Sequence, residues 1–428
     1  MITTPTVDQS AGNAPRRILI LSTTAFTLLF AVWLMFGVLG VPIREEFKLN
    51  QVQFSWLTAI AILSGSLWRL PFGILTDRIG GRVVMTGLLL FSAVPCVLVS
   101  HASSFTELMV YAFLFGMAGN SFSSGIAWNS AWFDKQHQGI ALGTFGAGNV
   151  GASLTKLIGP ALIALVPATG LLGGLLPGGW RFVPMLYAGL LVLMAVAVWF
   201  LAPSPDRRPG QGRALGQMLA PLKEIRVWRF GLYYVAVFGA YVALSLWLPS
   251  YYKNVYGLPL STAALLTCLF IFPASLLRPL GGWLSDRYGA RPVTYAVFVG
   301  MLIACLPLSL PAGALGIEIG PVLFTVLVVA IGVGMGVGKA SVYKYIPEYF
   351  PRDVGAVGGL VGTLGALGGF VLPLAFAYLN EWTHMPQSTF IVLSGLIAFS
   401  FCWLHLVVVG IKRREATTVA ETSPMQTA

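Results

Sequence analysis

Twelve mainly apolar stretches, separated by short polar segments, run the length of the chain: 18–41, 53–76, 82–100, 105–133, 138–166, 181–202, 227–252, 260–285, 291–311, 320–346, 354–380 and 388–411. Each is close to or longer than the ~20 residues that a helix needs to cross a hydrocarbon core. The pattern predicts an all-α polytopic membrane protein with twelve transmembrane helices. The longest polar interval, 203–226, carries Pro203, Pro205, Pro209 and several arginines. It divides the chain into two six-span halves, 18–202 and 227–411, with tails at 1–17 and 412–428. The first fifteen residues lack the charged-then-apolar order of a cleaved leader. Residues 415–428 are polar, and we expect them to be disordered.

Composition strengthens this reading. The chain is 57% hydrophobic and 10% charged, against about 25% charged in soluble domains. Lipid is therefore its expected solvent. The net charge of +11 invites a nucleic-acid reading, but its placement follows membrane topology instead. With the N-terminus inside, eighteen of the 26 lysines and arginines fall in cytoplasmic segments. Only Arg44, Lys48, Arg181 and Lys253 fall outside, and Arg69, Lys156, Arg278 and Lys339 lie within spans. Both termini are thus expected in the cytoplasm, with the chain in the cytoplasmic (inner) membrane. Cys96, Cys268, Cys305 and Cys402 all sit in apolar stretches, against a disulfide framework or a metal site. No P-loop, His/Glu metal cluster or nucleophile elbow appears, so we expect no enzyme and no cofactor. A sensor on the same scaffold would usually need a signalling domain, for which the tails are short.

The two halves repeat. Arg69, Asp77, Arg78, Gly80 and Arg82 at the end of span two recur as Arg278, Asp286, Arg287, Gly289 and Arg291 at the end of span eight, at a constant offset of 209. A second pair is glycine-rich: Gly146-Ala147-Gly148-Asn149-Val150-Gly151 in span five, and Gly362 to Gly369 in span eleven. Parallel repeats of this kind build carriers whose site lies at midplane between the halves. The G-x-L-x-D-R-x-G-x-R run of Gly73, Leu75, Asp77, Arg78, Gly80 and Arg82 resembles the loop signature of the major facilitator superfamily. That resemblance implies two pseudo-symmetric six-helix halves that work by alternating access.

Arg69 and Arg278 each lie eight residues before their aspartate, about 12 Å along a helix. Half a hydrocarbon core is about 15 Å, so both sit near midplane. A guanidinium keeps its proton, and a charge at helix centre costs roughly 3 kcal/mol even on mild scales. The acidic residues all fall at span ends, in loops or in tails, Glu318 among them. The counter-charge is then expected to be the cargo, a small inorganic anion gripped by two guanidinium forks. Packing of each arginine against helix-terminal carbonyls is the plainer alternative.

The runs GTFGAGNVGASLTKLIGP (143–160) and GGLVGTLGALGGFVLP (358–373), together with both mid-span arginines, resemble the paired signatures of the nitrate/nitrite porter family over essentially the whole chain. The resemblance implies nitrate, and nitrite, as cargo. It also implies substrate contacts at Asn149, at Tyr234 and at Phe122, with Phe238 a weaker candidate. Gly148 is a further candidate, letting substrate touch backbone, and glycines in both spans permit close helix approach. Lys156 and Lys339 are candidate proton-coupling groups, because burial can neutralise a lysine; snorkelling to an interface is the alternative. The signature with its lysine looks like the proton-symporting branch. That implies nitrate/proton symport by a monomer, with nitrate/nitrite antiport or another small monoanion as alternatives.

Overall fold

The structure, a computed structural model, describes residues 9–167, 169–174, 176–311 and 319–422. Among these residues the regular structure is helical, with a single isolated bridge between Leu171 and Leu176. Runs rich in leucine, alanine and valine form these helices because every backbone group is then satisfied within its own segment, as lipid demands. The predicted spans appear in order, several of them as broken helices.

Span one is Gln9–Trp33 followed, across a turn at 34–35, by Phe36–Glu46. Span two is Gln51–Leu67 then Arg69–Ile79, and span three is Gly81–Ser100. Span four is Phe105–Gly116 and Ser121–Trp132 joined by a 3-10 turn, Met117–Asn120. Span five repeats this design: Gln138–Gly146, the 3-10 turn Ala147–Val150, then Gly151–Leu165. Span six is Phe182–Leu201. Span seven runs Ile225–Tyr234, a π turn Val235–Gly239, and Ala240–Tyr256. Span eight is Leu260–Leu276 then Arg278–Tyr288, and span nine is Ala290–Leu308. Spans ten, eleven and twelve are Pro321–Tyr349, Val354–Thr383 and Ser388–Thr422. Among the described residues ten of these are long and apolar enough to cross a membrane; spans four and five are not among the ten.

Two expectations change. The N-terminal tail was set at 1–17, but helix begins at Gln9, because the polar residues there extend span one. The polar residues from Glu415 onward continue span twelve as helix to Thr422; residues 1–8 and 423–428, and Glu318, lie outside the described residues. The interval 203–226 between the halves is held at several points. Its Asp206 carboxylate accepts from the indoles of Trp128 and Trp132, both at 3.0 Å, and from the Arg82 amide at 2.9 Å. Its Arg213 pairs with Asp353 at 2.7 Å. The strap therefore grips both halves.

The glycines of the repeated loop have a backbone reason. Gly80 and Gly289 take φ of +96° and +89°, a region closed to most side chains. Between the halves, span two packs on span eleven and span five on span eight with backbones almost touching. A Cβ on Gly73 would strike the Gly355 carbonyl, and one on Gly282 would strike that of Gly139.

Candidate functional site

Each mid-span arginine opens a new helical segment. The break before it falls at Trp68 (φ −89°, ψ 1°) and at Leu277 (φ −83°, ψ 2°), positions related by the same offset as the arginines. Both guanidiniums are completely sealed, at 0% exposure. The Arg69 Nε donates to the Gly65 carbonyl at 3.0 Å, and its Nη1 to the Gly362 carbonyl of span eleven at 3.1 Å. Its Nη2 has no partner, and neither do Nε and Nη1 of Arg278. Arg278 instead lies flat on bare backbone: a Cβ at Gly146 would collide with its Nε, Cζ and Nη2.

The two charges converge on one ring. The Phe122 centroid is 5.4 Å from the Arg69 Cζ and 5.2 Å from the Arg278 Cζ. Tyr234 and Phe238 stack nearly parallel to Phe122 at 6.1 and 6.0 Å. Tyr343 closes the cluster edge-on, 5.1 Å from Phe122. Arg69 also faces Phe238 and Trp33, each at 5.2 Å. Such contacts attract a cation to a ring face when both are desolvated, but they leave N–H donors free. Among the described residues neither Arg69 nor Arg278 has an ion-pair partner, and each charge lies in the field of the other.

Further polar atoms wait beside them. The Tyr234 hydroxyl is buried against the Arg278 guanidinium, within electrostatic reach of both arginines. Asn149 leaves both its side-chain oxygen and its nitrogen unpartnered. It sits in the 3-10 turn of span five, which packs on span one and on the segment of span eight leading to Arg278. Each buried unpaired donor costs about 1–3 kcal/mol. A compact anion with several acceptor oxygens would satisfy several of them at once.

The path to this cluster is bridged at both ends. Asp77 accepts from the Gly355 amide at 3.1 Å, at the start of span eleven. Asp286 accepts from the Gly139 and Ile140 amides at 3.1 and 2.9 Å, at the start of span five, and from the Lys344 ammonium at 2.5 Å. Each carboxylate thus meets the positive end of a helix from the opposite half. Near the other end, the Lys156 ammonium of span five donates to the Ser245 carbonyl of span seven at 3.1 Å.

The sequence-derived candidates divide accordingly. Arg69, Arg278, Phe122, Tyr234 and Phe238 lie together, and Asn149 sits on the neighbouring turn. Gly148 does not face them: a Cβ there would meet Phe26 and Thr27 of span one, so it closes a helix contact. Lys339 does not snorkel. It is fully buried, donates to the Ala274 carbonyl at 2.9 Å and lies 3.1 Å from the Tyr241 ring centroid. Lys156 is half-buried and turned to the other half. The sequence reading missed Tyr343, Trp33 and Gly146. Gly146 lies within the first glycine signature, a usable signal; aromatic residues are too common in spans to single out the other two. Among the described residues no group of histidine, cysteine or carboxylate side chains could hold a metal.

Two halves of six helices around a buried site define a polytopic membrane carrier rather than an enzyme. A family model described as Major Facilitator Superfamily matches residues 21–373 and 260–426. The solved structure of FucP, a transporter of that superfamily in the outward conformation, superimposes with a TM-score of 0.71 at 16% identity, covering 91% of this chain and 99% of that one. The chain is 64% identical to the "Probable nitrate/nitrite antiporter NarK1" of Thermus thermophilus, over 94% of this chain and 93% of the relative. It is 30% identical to the "Nitrite extrusion protein" of Bacillus subtilis, over 88% of this chain and 91% of the relative. The chain belongs to the nitrate/nitrite porter family of the major facilitator superfamily.

Proposed function

We propose that this chain carries nitrate and nitrite across the cytoplasmic membrane, both termini inside, as a monomer working by alternating access. One observation carries the reading: Arg69 and Arg278 converge on Phe122 with free N–H donors and no carboxylate. A planar oxyanion can accept from both forks while resting against the aromatic cluster, with Asn149 and Tyr234 as further donors. The halves 18–202 and 227–411 then part alternately, breaking the Asp77 and Asp286 bridges on one side and the Lys156 bridge on the other.

Inward movement of one anion costs about 2.3 kcal/mol per 100 mV, so uptake needs compensation. Exchange for outgoing nitrite is electroneutral, and the 64% identical relative, named a probable nitrate/nitrite antiporter, supports it. The proton symport expected from the signature gives way to this reading. Symport keeps one specific support, the fully buried Lys339, which faces the Tyr241 ring and not a carboxylate. Proteoliposomes decide. Nitrate uptake is expected to require internal nitrite and to ignore an imposed pH gradient. Uptake into nitrite-free vesicles that follows the pH gradient would restore symport, and failure of nitrite, chlorate or nitrate to compete would sink the oxyanion reading altogether.

A further inference from the structure

Away from the central site, the second half holds another cleft. It opens where spans seven, nine, ten and twelve end, on the face that charge placement assigns to the cytoplasm. Two adjoining cavities, about 370 and 720 Å³, share Arg291, Tyr345, Tyr349 and Ile411. Arg226 and Arg229 line the first cavity with Arg291. Among the described residues none of these three guanidiniums makes an ion pair; Arg291 donates only to the Tyr349 hydroxyl, at 3.0 Å. The one carboxylate present, Glu348, lines the second cavity, so the balance stays positive. His405, on the same wall, is engaged with the Tyr295 hydroxyl at 2.8 Å.

A second observation points to a ligand. Tyr233 and Tyr345, 1% and 4% exposed, both line the first cavity; the Tyr233 hydroxyl is buried without a hydrogen-bond partner, and the Tyr345 hydroxyl lies beside that of Thr294. Three cations and the unpartnered Tyr233 hydroxyl around one cavity suit a phosphate oxyanion. The opposite wall is apolar, formed by Leu404, Val407 and Ile411 of span twelve. Beside the mouth, Trp228 is 48% exposed and Ile225 62%, the side-chain character of a membrane interface. The sequence adds Lys412, Arg413 and Arg414 directly after Ile411.

We propose that this cleft binds an anionic phospholipid, its phosphate held by Arg226, Arg229 and Arg291 and an acyl chain laid along span twelve. Basic pockets between helices on the cytoplasmic side are suited to such headgroups. Free inorganic phosphate shares the headgroup chemistry but has no use for the apolar wall. The cleft is also joined to the central site. Span seven turns Tyr234 to Phe122 and Tyr233 to the cleft, and span ten does the same with Tyr343 and Tyr345.

The test is native mass spectrometry of the whole protein after exchange into phosphatidylglycerol or phosphatidylcholine. One phosphatidylglycerol is expected to stay bound while phosphatidylcholine washes away. Substituting Arg226→Ala, Arg229→Ala and Arg291→Ala together is expected to cut retention at least tenfold. Tyr233→Phe keeps the ring and is expected to cut it several-fold, which decides the matter if the triple variant does not fold. Equal retention of the two lipids, or unchanged retention in the tyrosine variant, overturns the proposal. Displacement of the lipid by millimolar inorganic phosphate would also overturn it, making the cleft a free-phosphate site.

Discussion

The two halves carry the same motif at the same spacing, yet their equivalent residues are bonded differently. Arg69 spends two donors on the carbonyls of Gly65 and Gly362, whereas Arg278 has two unpartnered nitrogens and rests on Gly146. Asp77 takes one amide, whereas Asp286 takes two amides and an ammonium. Span five carries Asn149 where the spacing of Gly139 and Gly355 puts Gly365 in span eleven. There a Cβ would strike Tyr234. Repetition thus supplies two arginines facing one ring, and divergence assigns them different work. Arg69 is tied to the frame, and Arg278 keeps two free nitrogens for the anion we propose it grips.

The largest effects should come from the arginines. Arg278→Lys and Arg69→Lys are each expected to lower nitrate uptake in proteoliposomes roughly 100-fold, since an ammonium cannot replace a fork on a buried anion. The comparison sharpens further in binding: Arg278→Lys should weaken nitrate affinity more, while Arg69→Lys should also lower the melting temperature. Equal melting temperatures would break the division of labour, and retained uptake in both variants would end the two-fork account.

The aspartates come next. Asp286→Asn leaves the buried Lys344 ammonium with the Lys135 carbonyl but no counter-charge, and should cost about 3 kcal/mol of stability. Asp77→Asn loses part of one hydrogen bond and should cost about 1 kcal/mol. Thermal melts of the two variants in one detergent measure the difference, and a larger loss for Asp77→Asn would reverse our ranking of the two seams. Asn149→Ala should raise the KM for nitrate about fivefold, the worth of one hydrogen bond, with little change in melting temperature. An unchanged KM would remove Asn149 from the site.

The smallest effect lies at the outer end of the first half. There Glu46 accepts from Arg181 at 2.6 Å and from the Trp180 indole at 2.7 Å. The second half instead packs Tyr251, Phe324 and Phe390 together. Arg181 holds the Glu46 carboxyl below the usual carboxylate range. Its stabilisation is therefore present above about pH 4.3 and fades as pH falls through the lowered value. Glu46→Gln should cost under about 1 kcal/mol at pH 7 and nothing at the acid end. A pH-independent loss would point to packing of Trp180 rather than charge.

Much of this was legible from the chain alone. Spans, halves and the arginine pair follow from hydropathy and from the cost of a charge in lipid, both of which act on residue type whatever the neighbours. The breaks at Trp68 and Leu277 were not legible, nor were the 3-10 turns at Met117–Asn120 and Ala147–Val150. A helix interrupted for one turn keeps its apolar composition. The hold of Asp206 on two tryptophans was hidden for another reason: they lie 74 and 78 residues away, and a polar linker reads the same whether strapped or loose.

The sequence by itself determined that two guanidiniums must lie in the membrane without a carboxylate to answer them, because no acidic residue shares their depth. Only the tertiary structure decided which of their donors stay free. Hydrogen bonds inside lipid are settled by which carbonyl comes within about 3 Å. The close approach of Gly362 to Arg69, and of Gly146 to Arg278, is a property of packed helices and not of any one segment.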